Sequence, residues 1–261
     1  MNHPSKPTRR SGLTLIELLV VLTILIALGG IVVSSLPGLL GKTQTATAAA
    51  NVSEIDASIR RNLISANGFI GNRFDALLTS SGGAGGEVPA YVGGSEIFQA
   101  TSLSASDIAA LRAVGIVEVI PADGSTNDAT FASHTAQPSA LSNDTRVCSI
   151  SPNFADELMD RIWNLTPSSN DRYLVFGLGS RCSLVGGSEQ ALFAEAPVHF
   201  SDDATSGPKN MYSRYLIVVE LKSESDSSSR ARYVGVAIPD ADGLKGISQE
   251  LQDAYSTDSN N

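Results

Sequence analysis

The chain has 261 residues, of which 42% are hydrophobic, and a formal net charge of −9. This length suits one substantial domain with accessory segments and does not require a second core. A chain this acidic repels phosphate backbones, so general nucleic-acid binding is disfavoured and no nucleic-acid partner is expected.

The N-terminus combines a basic stretch with a long apolar run. Residues 1–12 contain lysine and arginine but no acid, and residues 13–33 contain Glu17 as their single charged residue. As a helix, that run would be about 31 Å long at 1.5 Å per residue, which matches the hydrocarbon core of a bilayer. We therefore expect one membrane crossing, with the basic N-terminus in the cytoplasm.

The residues that follow this leader form a specific motif. The sequence Gly12-Leu13-Thr14-Leu15-Ile16-Glu17 places an acid shortly after a glycine, at the start of the apolar run. An acid at the centre of an apolar span costs about 2.5–3.5 kcal/mol, so a simple anchor gains nothing from Glu17. The arrangement resembles the prepilin cleavage motif of type IV pilins and type II secretion pseudopilins, although that family most often has phenylalanine at the position of Leu13.

The resemblance implies a maturation step and a mode of assembly. A prepilin peptidase would cut between Gly12 and Leu13 and methylate the new amino terminus. The Glu17 carboxylate would pair with the amino terminus of a neighbouring subunit and set the register between them. The mature chain would then be a structural subunit of a type II secretion pseudopilus or a type IV pilus, which is not an enzymatic role. Its partners would be the peptidase, other pilin or pseudopilin subunits and the inner membrane, with the globular domain in the periplasm.

A second helical stretch lies beyond the apolar run. Its apolar residues recur at spacings of three and four, and they are Val52, Ile55, Ile59 and Leu63. Between the two stretches, Pro37 is expected to kink the helix because proline removes a backbone donor. Together the stretches predict a long helix over residues 13–66, half in the membrane and half lying against a globular domain.

The remaining residues, 67–261, predict short helices and then mostly antiparallel strands. Helices are expected over residues 73–78, 106–114, 152–165 and 247–255. Strands are expected over residues 116–120, 172–177, 197–200, 213–221 and 231–238, of which the last two form a hairpin. The predicted fold class is α+β, with the long N-terminal helix packed on a C-terminal antiparallel sheet, as in pilins. The expected organisation is a cleaved leader (1–12), the helix (13–66) and the globular domain (67–261).

Two cysteines, Cys148 and Cys182, are the only ones in the sequence. Because the globular domain is expected outside the cytoplasm, we expect them to form one disulfide. The alternative is two free, buried thiols. They are too isolated from other cysteines and from histidines to have the ligand spacing of a zinc site.

Motifs that carry catalysis or cofactor binding do not occur in the sequence. It has no HExxH or GxSxG pattern and no complete phosphate-binding loop, so no catalytic, cofactor-binding or metal residues are assigned. Asp240 and Asp242 give the C-terminal region the oxygen-rich look of a calcium loop, but an ordinary turn is the simpler interpretation. A membrane-anchored binding protein, with loops 79–96 and 223–230 as contact surfaces, and an enzyme remain the alternative functions.

Overall fold

The computed structural model describes residues 14–79, 88, 97–122, 137–168, 170–187, 191–199, 212–222, 230–240 and 243–256. The side chains of residues 31–42, 240 and 254–256 are outside this description. The chain divides into two compact units, Met1–Leu40 and Gly41–Asn261. The division falls inside the first helix, so the second part of that helix belongs to the larger unit.

Four helices occur in the described residues: α1 (Leu15–Ser65), α2 (Ala105–Ala113), α3 (Pro152–Trp163) and α4 (Ile247–Ser256). The helical backbone of α1 continues through Pro37, where a kink was expected. Ser104 caps α2 in a capping box with Asp107, so this helix begins slightly before the predicted residues. The Ser151-Pro152 pair opens α3 as predicted, and Asn164 ends it in a left-handed conformation.

In the described part of the chain, nine strands form one sheet. They are β1 (Arg73–Asp75), β2 (Phe98–Ser102), β3 (Glu118–Ile120), β4 (Ser139–Ala140), β5 (Arg146–Ile150), β6 (Arg172–Gly177), β7 (Leu216–Leu221), β8 (Arg232–Asp240) and β9 (Gly243–Lys245). The main path of the sheet is β4-β3-β1-β6-β7-β8-β9, and β5 pairs with both β2 and β6. The predicted hairpin of β7 and β8 is confirmed, with a register shift between Val218 and Val219.

The predicted fold class is wrong in the architecture of its sheet. Strands β1 and β3 are parallel, so the sheet is mixed and not antiparallel. Its strands also start at Arg73 and are not confined to the C-terminal part. The helix expected over residues 73–78 is replaced by β1, because pairing with β3 and β6 determines the backbone there. Of the strand expected over 197–200, the described part makes a single bridge between Val198 and Arg214.

The predicted membrane crossing also needs correction. No helix in the described part of the chain is long and apolar enough to span a membrane. For the described residues, the expected single-pass location in the inner membrane, with a periplasmic domain, is therefore wrong.

The sheet is covered on both faces. Alternate residues of the central strands enter two separate hydrophobic clusters: Phe176 and Ile217 belong to one, and Val175 and Val218 to the other. The first cluster includes residues of α1 and α2, and the second includes residues of α3. All six residues of β7 are buried, as expected for a central strand with both faces covered.

The second part of α1 packs on this sheet through the predicted apolar stripe. Val52, Ile55 and Ile59 are at most 4% exposed, so the prediction for these residues is confirmed. Polar contacts between α1 and β8 flank the stripe. The Tyr233 hydroxyl donates to Asp56 at 2.8 Å, and the Arg60 guanidinium donates to a main-chain carbonyl at 2.8 Å while lying 5.3 Å from the Tyr233 ring centre. These contacts hold one face of α1 against the sheet.

We expect Ile59→Ala to lower the free energy of unfolding by about 2–5 kcal/mol, because it leaves a cavity between α1 and the sheet. Ile64→Ala is the matched control, since Ile64 lies on the same helix and is 83% exposed. Its effect should stay below about 0.5 kcal/mol. Chemical denaturation of the full-length variants checks this, and equal losses for the two would contradict the packing described.

Candidate functional site

The first turns of α1 carry a large uncovered apolar surface. The exposed segment, residues 15–28, contains leucine, isoleucine and valine side chains that are 49% to 83% exposed. They occupy every side of the helix, so the segment has no polar face to turn towards water. Burying one such side chain is worth about 1.5–3 kcal/mol. The segment therefore has the properties of an assembly surface.

A capping box fixes the start of this segment. Thr14 is the N-cap residue, since its carbonyl accepts the first helical hydrogen bond, from the Leu18 amide at 3.1 Å. The Thr14 amide and hydroxyl donate to Glu17 Oε2 at 2.8 and 2.9 Å. In return, the Glu17 amide donates to the Thr14 hydroxyl oxygen at 3.4 Å. This reciprocal pattern satisfies amides that the first helical turn leaves without partners.

The capping box also orients Glu17 and favours its ionised form. Hydrogen bonds from the Thr14 amide, and then from its hydroxyl, hold the pKa of Glu17 below its ordinary value. The side chain is therefore ionised at neutral pH. Both bonds end on Oε2, and no described residue donates to Oε1, so Oε1 can accept a bond from another group. An oriented, charged acceptor thus lies at the beginning of an apolar surface.

The predicted processing residues, Gly12 and Leu13, lie outside the described residues. The hydrogen bonds of the nearby Thr14 are nevertheless relevant to the position of cleavage. The Thr14 amide belongs to the peptide bond between Leu13 and Thr14, so cleavage between Gly12 and Leu13 leaves both Thr14 donors in place. A cut one residue later would turn that amide into a free amino group. Cleavage at the predicted peptide bond is therefore compatible with a capped helix in the processed chain.

Sequence reasoning assigned Glu17 to assembly and missed its bonds to Thr14. The signal was present, because Thr14-x-x-Glu17 directly before an apolar run is the capping-box pattern. Glu17 thus has a local role in its own helix, and its role in assembly stays a prediction. Experiments on this residue have to separate the two.

The cysteines are free thiols and do not form the expected disulfide. Cys148 lies in β5, in the hydrophobic cluster that includes α3, whereas Cys182 follows β6 in the cluster that includes α1. Burial raises the pKa of both thiols. The two side chains pack in separate clusters, and each is unreactive while the protein is folded.

A thiol reagent should therefore label neither cysteine in the native protein and both after unfolding. Electrospray mass spectrometry of the intact and alkylated protein measures this directly. Protein folded under oxidising conditions should show the same mass before and after reduction. A mass that increases on reduction would contradict the free-thiol structure.

Asp75 and Tyr212 form a buried polar pair that the sequence did not indicate. Asp75 is 2% exposed and accepts a hydrogen bond from the Tyr212 hydroxyl at 2.9 Å. Burial, followed by the charge of Asp75, raises the pKa of Tyr212 well above its ordinary value. Glycine is needed beside both groups: a Cβ at Gly177 would lie 2.0 Å from the tyrosine oxygen, and one at Gly179 would lie 2.0 Å from an Asp75 oxygen. The pair links β1 to the chain before β7.

Within the described ranges, no three or more His, Cys, Asp or Glu residues are grouped so that they could hold a metal ion. The suggested calcium loop falls at the turn of the β8–β9 hairpin, where Asp240 pairs with Gly243, and Asp242 lies outside the described residues. His199 is buried near Tyr215, with ring centres 6.3 Å apart. His3 and His134 lie outside the described residues.

Comparison with protein-family models, curated proteins and solved structures finds no match for this chain.

Proposed function

We propose that this chain is a structural subunit of a filament of the type IV pilin or type II secretion pseudopilin kind. In this proposal it is processed between Gly12 and Leu13 and assembles through the N-terminal part of α1. The observation that carries the proposal is the exposed segment, an apolar helix that begins with the oriented carboxylate of Glu17. The proposal concerns the assembly mechanism that the two kinds of filament share.

Cohesion between subunits comes from the exposed segment. Its large aliphatic side chains are about half exposed or more in the single chain. Contact with the same segments of other copies removes this surface from water, and each side chain that becomes fully buried contributes about 1.5–3 kcal/mol. Several such side chains per copy suffice to offset the loss of translational and rotational freedom on association.

Register between subunits comes from Glu17. Its carboxylate is ionised, and its Oε1 is available to accept a bond. Cleavage after Gly12 creates a positively charged amino group at Leu13, and the amino group of a neighbouring copy is the counter-charge that Glu17 binds. A charge buried among apolar helices is tolerated only when it is paired, so misaligned copies are rejected.

The processed chain should begin at Leu13. Co-expression of the full-length chain with a prepilin peptidase, followed by mass spectrometry of the N-terminal peptide, tests this. Chain produced without the peptidase is the control and should keep its leader. An intact leader in both samples, or a cut elsewhere, would contradict the proposed maturation.

Glu17→Gln separates the charge of this side chain from its capping role. Glutamine can still accept the bonds from Thr14, so the helix remains capped, but the pair with an amino group is lost. We expect filament assembly to weaken more than about 100-fold, because breaking a buried ion pair costs about 3–5 kcal/mol. Glu17→Ala should be equally severe, and both variants should still be cleaved after Gly12.

Thr14→Val is the matched control for these variants. It removes the hydroxyl cap and keeps the charge of Glu17, so its effect on assembly should be much smaller. Sedimentation of the processed chains and electron microscopy of the pellets measure all three. If Glu17→Gln assembles normally while Thr14→Val fails, capping and not charge is what assembly requires.

A further inference from the structure

Helix α1 ends in a tight turn that hydrogen bonds hold in place. The Gly68 amide donates to the Leu63 carbonyl at 2.6 Å, which is one of the two bonds that define a Schellman motif. The side-chain amide of Asn62 donates to the Phe69 carbonyl at 3.3 Å and braces the same turn. The main chain is therefore held on both sides of Asn67.

The backbone of this turn restricts which residues can occupy it. Asn67 and Gly68 have φ angles of 53° and 81°, so both lie in the left-handed region. Asparagine is one of the few residues that adopt this conformation at the end of a helix, and glycine adopts it without a steric cost. A Cβ at residue 68 would also lie 2.8 Å from Arg230 Nη2 and would displace that side chain. The turn thus favours an asparagine followed by a glycine.

An asparagine followed by glycine is chemically reactive, and Asn67-Gly68 is the only such pair in the sequence. After losing its proton to solvent, the Gly68 nitrogen attacks Cγ of Asn67, and the new N–Cγ bond closes a succinimide ring. The Cγ–Nδ2 bond breaks, and the nitrogen takes up a proton and leaves as ammonia. Water then opens the ring at either carbonyl to give aspartate or isoaspartate. Glycine carries no side chain that would hinder the attack.

The same turn protects this pair while the protein is folded. The attacking atom is the Gly68 nitrogen, and its proton is engaged by the Leu63 carbonyl. The Arg230 guanidinium donates to the Asn67 carbonyl at 2.8 Å, which ties the turn to the chain just before β8. Ring closure requires the turn to open, and helix ends open locally without unfolding of the whole domain. The rate of reaction is therefore limited by this local opening.

We propose that Asn67 is a site of spontaneous deamidation whose rate is controlled by the end of α1 and by Arg230. The reaction replaces a neutral side chain with a negatively charged one. The isoaspartate product also has an additional carbon atom in its main chain, which is incompatible with the Schellman bond. Modification therefore loosens the junction between α1 and the chain before β8. This inference does not depend on the filament function.

Peptide mapping by mass spectrometry tests the site. The full-length protein is incubated at mildly alkaline pH, either folded or in denaturant, and the aspartate and isoaspartate forms of residue 67 are followed with time. We expect the folded protein to react more than about tenfold more slowly, because at least two hydrogen bonds have to open. Equal rates in the folded and unfolded protein would overturn the proposal.

Asn164 is the internal control for this experiment. It also has a left-handed backbone at the end of a helix, with a φ angle of 51°, but it is followed by Leu165. The leucine side chain hinders attack by its own main-chain nitrogen, so Asn164 should stay unmodified over the same period. If Asn164 reacts as fast as Asn67 in denaturant, the glycine is not what makes Asn67 a site, and the proposal fails.

Arg230→Ala tests the controlling contact. The side chain is exposed, so the fold should remain intact. When folded, the variant should deamidate about fivefold faster than the parent, the value of one ordinary hydrogen bond. In denaturant the two proteins should react at the same rate. Arg230→Lys keeps a donor and should restore part of the protection. If folded Arg230→Ala reacts at the parent rate, Arg230 does not control the site and the proposal is contradicted.

Discussion

The packing of residues 41–65 of α1 against the sheet is the contact on which the larger unit depends. Val52, Ile55 and Ile59 enter the same cluster as Phe176 and Ile217 from the centre of the sheet. Removal of this helix face would expose one side of β6, β7 and β8 together. The exposed segment of the same helix carries similar side chains and no cover within the described chain. One helix therefore buries its apolar side chains within the chain along one part and leaves them exposed along another.

In the proposed filament, Glu17 determines which arrangement of the apolar helices is favoured. Apolar contact is non-directional, so apolar helices alone could associate in many registers. The Thr14 bonds favour the ionised form of Glu17. Once this carboxylate is buried among apolar helices, it is stable only where it pairs with a positive group. In the proposed filament the apolar surface supplies the free energy of association, and this one charge selects among the arrangements that the surface would permit.

The elements that sequence analysis predicted well are those with strong local signals. Strand β6 was predicted with its observed limits, and α3 was marked by Ser151-Pro152 and its apolar periodicity. In contrast, Phe74, Leu77 and Leu78 have helical spacing, yet the chain there begins as β1 because β3 pairs with it in parallel. Such pairing depends on residues that are distant in sequence, so local patterns did not reveal it. Strands β2 and β5 were missed for the same reason, since each is defined mainly by its pairing with the other.

In the candidate site too, the features that could be predicted are those with local sequence signals. Glu17 and its leader could be identified from the sequence, and Thr14 could have been, since the capping box is a local pattern. The buried pair of Asp75 and Tyr212 could not, because these two residues come together only through the fold. Free, buried thiols were only the alternative to the expected disulfide, because the separation of the two cysteines into two clusters depends on which face of the sheet each one joins.

Hydroxyl-radical footprinting of the processed chain, below and above its assembly concentration, tests whether residues 15–28 form the assembly surface. We expect the aliphatic side chains of residues 15–28 to be oxidised in single subunits and to become protected in step with filament formation. Ile64, exposed on the same helix, serves as the internal reference and should stay reactive. If residues 15–28 remain as reactive as Ile64 in the assembled material, this segment is not the assembly surface and the filament is held together in another way.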